Sequence, residues 1–186
     1  LADSYHIAVT GHRTIPEDQR LGDAVRQVLS NLVTEHSAGI RLYSPLAEGA
    51  DQLVARIALG FDAINLTLPL PMPIERYLAD FDDEAGRQAF YDLQSSCVDI
   101  IRLPEPEEDQ TAYQALCGFL VDKSDAVIAL WNGQYNQRKG GTGDVVKYAL
   151  ESNKLVYWIY CANVQDSPGH PNTCSKEIGE INLMNP

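Results

Sequence analysis

Three short segments carry residue types suited to holding an anion. Thr10-Gly11-His12-Arg13-Thr14 combines a glycine, which lets the backbone turn tightly, with an imidazole and a guanidinium that can donate hydrogen bonds. It reads as an anion site or as a turn with two surface residues. Ser44-Pro45-Leu46-Ala47-Glu48-Gly49-Ala50-Asp51 places a Gly-Ala pair at a helix start, where unpaired backbone N–H groups allow close approach of a ligand. Glu48 and Asp51 there either offset the positive helix end or accept from ribose hydroxyls, as an acid does in dinucleotide-binding folds. Lys139-Gly140-Gly141-Thr142-Gly143-Asp144 leads into a helix after an Asn132-Gly133 turn. Its three glycines present bare amides, with the Thr142 hydroxyl, to a phosphate or carboxylate, or form a flexible turn with a threonine cap. The spacing matches neither G-x-x-x-x-G-K-[ST] nor G-x-G-x-x-G.

Other candidates are less local. Pro69 to Phe81 brings Arg76, Tyr77, Asp80 and Phe81 after a proline-stiffened stretch that can serve as a lid. Tyr77 and Phe81, four apart on a helix, pack together or meet a ligand base. Arg87 is a further anion partner, and Trp131 floors the pocket or fills core. No Ser-His-Asp arrangement, H-E-x-x-H or paired-carboxylate motif stands out, and His6, His36 and His170 have no readable partners.

These loops need a scaffold that gathers them. The 186 residues suit one ordinary domain, and 45% apolar residues supply a single core. Apolar runs over residues 5–10, 40–44, 63–68, 98–103, 125–131 and 155–161 read as six strands. Amphipathic stretches over 17–36, 49–59, 74–81, 84–95, 111–123 and 142–152 read as helices, with Pro16 placed for the first turn of the first one. Pro69, Pro71 and Pro73 are expected to end the third strand. Residues 104–109 form an acidic, solvated loop, and residues 163–186 a tail on the same domain, of which 178–183 can pack. The alternation predicts an α/β fold: a Rossmann-like three-layer architecture, an open and mostly parallel β-sheet with helices on both faces, over residues 1–162. Such sheets bind ligands at the carboxyl ends of their strands, where the segments above would lie.

Charge narrows the partners. Lys plus Arg number 14 against 26 Asp plus Glu, a formal net charge of −12 that repels nucleic-acid backbones. Cys97, Cys117, Cys161 and Cys174 lie far apart and read as reduced thiols rather than a metal set. No tightly bound metal is implied. The apolar runs are too short to span a bilayer and the start lacks a signal-peptide pattern, which makes cytoplasm the expected compartment. A start at Leu1 is consistent with a domain cut from a larger parent.

Taken in order, VTGHR, SPLAEGADQLVARIAL, FLVDKSDAVIALWNG and KGGTGDVVKYAL resemble the SLOG superfamily of Rossmann-like domains across residues 5–160. That superfamily includes LOG-type phosphoribohydrolases, molybdenum-cofactor carrier proteins, DNA-processing A-type proteins and the YpsA-like group. The resemblance implies a nucleotide or nucleotide-derived ligand, held by Gly11, His12 and Arg13, by Gly49 and Asp51, and by Gly140, Gly141 and Thr142. Pairing in a homo-oligomer is also implied. The LOG signature P-G-G-x-G-T-x-x-E is only partly matched: Gly143 fits, Lys139 replaces Pro, Asp144 replaces Thr, and Lys147 stands where the catalytic Glu belongs. Three functions follow as expectations: a sensor or carrier that binds a phosphate-bearing small molecule, a nucleotide N-glycosidase using Glu48 or Asp51, and an interaction module with a vestigial pocket.

Overall fold

The computed structural model describes residues 4–104, 108–135, 140–162 and 176–185. Lys139, His170 and Cys174 lie outside the described residues, as do 105–107 of the acidic loop and 163–175 of the tail. Among the described residues, seven strands form one sheet: β1 (Tyr5–Gly11), β2 (Ile40–Tyr43), β3 (Ile64–Leu70), β4 (Asp99–Arg102), β5 (Ala126–Trp131), β6 (Leu155–Tyr160) and β7 (Ile181–Met184). Their order is β4-β3-β2-β1-β5-β6-β7. All neighbours are parallel except β6 and β7. The helices are α1 (Gln19–Glu35), α2 (Ala50–Ala58), α3 (Ile74–Leu78), α4 (Glu84–Gln94), α5 (Asp109–Asp122) and α6 (Thr142–Glu151).

Period-two alternation in the strands feeds two cores. Ile7 and Val9 of β1 face one cluster with Leu21, Val25 and Leu29 of α1, Val54 of α2 and Phe90 of α4. Ala8 faces the other, with Leu116 and Leu120 of α5 and Val145 and Val146 of α6. The result is the expected three-layer α/β fold. Because β2 and β5 flank β1, the direction of strand addition reverses at β1, and the loops after β1 and β5 diverge there to leave a crevice.

Three local expectations are corrected. Helix α1 starts at Gln19 because Asp18 takes the N-cap, its carboxylate accepting from the Arg20 N–H, which leaves Pro16 outside the first turn. Strand β3 runs through Pro69. Ser44 N–H donates to the Thr67 carbonyl on the β2 side, while Val98 and Leu103 donate to Leu66 and Leu70 on the β4 side. Pro69 therefore directs its missing donor toward β2, whose pairing ends at Tyr43↔Thr67, and no ladder bond is lost. Lastly, the packing stretch of the tail is a seventh strand, β7, antiparallel to β6.

Candidate functional site

The loop after β1 is stitched to both neighbours at the switch point. His12 donates its N–H to the Leu130 carbonyl, and its own carbonyl accepts from Ala50 N–H at the start of α2. The His12 Nε2 accepts from the Asn132 N–H at 3.0 Å. Two glycines make this stitching possible. A Cβ on Gly11 would lie 2.3 Å from Ala50 Cβ, and one on Gly49, at φ +76°, would lie 2.2 Å from the Arg13 carbonyl oxygen. Both positions serve the approach of the β1 loop to α2.

Arg13 reaches across to the excursion between β3 and β4. Its Nη1 donates to the Asp80 carbonyl at 2.9 Å and its Nη2 to the Tyr113 hydroxyl at 3.2 Å. Its Cζ lies 5.9 Å from the Phe81 ring centre and 5.8 Å from that of Tyr113. The Tyr113 hydroxyl in turn donates to the Asp80 carboxylate at 2.6 Å. Burial, followed by that bond to Asp80, pushes the Tyr113 phenol up to about 12.

Asp51, in the first turn of α2, is 6% exposed. Burial pushes its carboxyl up to about 7, with the Ala47 N–H and the Arg13 charge opposing. Tyr77 is buried with its ring against Phe81, Phe90 and Tyr113, so its faces are taken by core contacts.

On the other side, α6 opens at the glycine-rich segment. Gly140 has φ +78° and donates its N–H to the Asp144 carboxylate at 2.8 Å; Gly141 is the N-cap and makes no side-chain cap bond. Among the described residues, the N–H groups of Gly141, Thr142 and Gly143 have no acceptor. Trp131, 2% exposed, donates its Nε1–H to the Gln134 carbonyl and packs edge-on against Tyr135, serving core and cavity wall together.

One cavity of about 450 Å³ joins these parts: the turn from Gly11 to Thr14, Asp51, Tyr77, Trp131 and the segment from Gly140 to Gly143. The structure thus brings the triple-glycine segment and Arg13 to one rim. Glu48, Gly49 and Arg87 are not on the cavity wall. Glu48 accepts the Asp82 N–H through both oxygens, at 3.1 and 3.0 Å. Arg87 donates to the carbonyls of Leu78 and Phe81 and pairs with Glu84. Tyr113 went unnoticed in sequence: it reaches the cavity from α5, and nothing local marks it. Among the described residues, no group of three or more His, Cys, Asp or Glu is placed to hold a metal ion, and no helix is long and apolar enough to cross a membrane. Burial pushes the Cys97 and Cys117 thiols up to about 11 and Cys161 up to about 12.

No family model and no curated protein matches the chain. Among solved structures, it is similar to DNA processing protein A from Streptococcus pneumoniae, with a TM-score of 0.57 and 20% identity over 88% of this chain and 52% of that one. The fold they share is a Rossmann-like one. The chain spans about half the length of that protein. A second similar structure, TM1055, a structural-genomics target, gives a TM-score of 0.48 and 13% identity over 81% of this chain and 71% of that one. On such a Rossmann-like fold, the crevice at the carboxyl edge of β1 and β5 is the place where strand direction and helix ends favour a ligand.

Proposed function

We propose that this protein binds a nucleotide or nucleotide-derived ligand, with a phosphate seated at the start of α6 within reach of Arg13. The observation that carries this reading is the run of unpaired N–H groups from Gly141 to Gly143 in the same cavity as the Arg13 loop. A helix N-terminus with bare amides attracts negative charge, and its macrodipole adds to the attraction. The Arg13 guanidinium keeps uncommitted N–H donors after those given to Asp80 and Tyr113. A volume near 450 Å³ suits a small molecule of nucleotide size. Because Arg13 also holds the β3–β4 excursion, ligand contact there is coupled to the position of α3, as a sensor or carrier needs.

Thr142→Pro tests this directly. Proline is well accommodated at the first helical position, and Gly141, at φ −85° and ψ 176°, already has the extended backbone required before proline. The substitution removes one N–H and one hydroxyl while leaving α6 intact. Calorimetric titration with a ribonucleotide panel should detect a binder at millimolar or tighter affinity, weakened at least about tenfold in Thr142→Pro at similar melting temperature. Absence of any binder, or unchanged affinity in the variant, would refute the reading.

Asp51 favours a second reading, a nucleotide N-glycosidase. A buried carboxyl titrating near neutrality on the cavity wall can stabilise an oxocarbenium-like centre while water adds to the sugar and the base leaves with a proton. Free base released from AMP distinguishes this from binding alone. A net charge of −12 opposes a phosphate backbone, which argues against the DNA processing named for the similar protein.

A further inference from the structure

Two polar side chains reach the cavity from α2 and α3, the layer across the sheet from α6, and the protein's own hydrogen bonding does not account for them. Tyr77 is 1% exposed, and its hydroxyl has no hydrogen-bond partner among the described residues. Among those residues, no fully sealed side-chain nitrogen or oxygen lacks a partner. The Tyr77 oxygen therefore keeps its accessible surface, and it does so where the residue borders the cavity. Asp51, equally on that wall, has its carboxyl engaged by the Ala47 N–H and by no other donor among the described residues. Asp51 and Tyr77 thus border one and the same cavity.

Buried groups of this kind are paired in folded proteins, and a molecule bound in the cavity can supply the bonds. Its chemistry is restricted. A second phosphate would meet the carboxylates of Asp51 and Asp80, with part of the Arg13 charge already absorbed by Asp80 and Tyr113. An apolar group would leave both oxygens unsatisfied. A hydroxyl donates to a carboxyl oxygen and both gives to and accepts from a phenol, so two adjacent hydroxyls satisfy the pair. We propose that Asp51 and Tyr77 together take neighbouring hydroxyls of a ribose whose phosphate sits at α6, making the ligand a phosphorylated ribose, free or within a ribonucleotide. This rests on the phosphate site proposed above and adds a demand on the sugar.

The test is titration calorimetry on the full chain with inorganic phosphate, ribose 5-phosphate, 2-deoxyribose 5-phosphate, AMP and 2′-deoxy-AMP. Within the sugar-phosphate pair, the nucleotide pair or both, the ribo compound should bind at least about tenfold tighter than its deoxy counterpart. The pair that shows the preference tells a free sugar phosphate from a nucleotide. In Tyr77→Phe, which keeps the buried ring, the ratio should fall to within about threefold while phosphate affinity holds; Asp51→Asn should do the same through the other partner. Equal affinity for ribo and deoxy forms, with phosphate still bound, overturns the hydroxyl assignment and leaves the phosphate site standing. A ratio unchanged in both variants overturns it equally. Loss of all binding in the native chain overturns both.

Discussion

A carboxyl removed from water must gain partners or give up its charge, and at Asp51 burial wins over the Ala47 N–H and Arg13. Its folded value of about 7 stands above the ordinary 3.8. The folded protein therefore holds a proton that the unfolded chain has already released at intermediate pH. The resulting stabilisation is complete below about pH 4 and is lost as pH rises toward 7, by up to about 4 kcal/mol for a shift of this size. Asp51→Asn removes the titration, so in urea unfolding between pH 4 and 8 the variant should gain on the native chain as pH rises. A difference that stays constant across that range would show that Asp51 keeps its charge in the fold. At this scale the sequence was legible for residue type and obscure for reason. Gly11 and Gly49 stand out as turn glycines, yet what excludes a Cβ is Ala50 in one case and the Arg13 carbonyl in the other, contacts that only the β1–α2 approach creates. Glu48 and Asp51 are both acids beside one glycine, and folding sends one to a backbone N–H and the other to the cavity.

The excursion from α3 to α4 is the element that closes the cavity, and it is held by the loop after β1, the loop preceding α2 and the first turn of α2. Glu48 accepts from Asp82, Gln52 donates to the Gly86 carbonyl at 3.0 Å, and Arg13 holds the Asp80 carbonyl. Gly86 is shaped by this contact: a Cβ there would lie 2.1 Å from the Glu48 carboxylate. Glu48→Ala strips a charge-assisted acceptor from the Asp82 N–H, a loss of about 1.5–3 kcal/mol. Hydrogen exchange should quicken at Asp82 and through the first turn of α4, while β1 and β5 keep their protection. Unchanged exchange at Asp82 would mean that the excursion is held without Glu48. Apolar periodicity sufficed to find α3 and α4, because each carries its own pattern. Proline content misled at β3, since a proline breaks a ladder only where a neighbour awaits its donor, and that depends on where β2 stops.

For the whole molecule, alternating strands and helices made the α/β class and the carboxyl-edge location of the cavity readable from order alone. The strand β7 was harder: Ile181–Met184 is short, lies past residues 163–175, and takes its strand character from pairing with β6. Net charge also acts at this scale. With −12 on the chain, salt screens repulsion as well as local attraction. Affinity for AMP should change little between 20 and 200 mM NaCl, and a DNA duplex should fail to bind even at the lower salt. A steep fall in DNA affinity across that range would instead reveal a basic track. On the proposed reading, Arg13 bears on how such a molecule captures an anion at all. Held at both ends of its fork by Asp80 and Tyr113 and sandwiched near two rings, it gave up its rotational freedom when the chain folded. An arriving guest thus spares that ordering cost, and tightness comes from preparation instead of long-range pull.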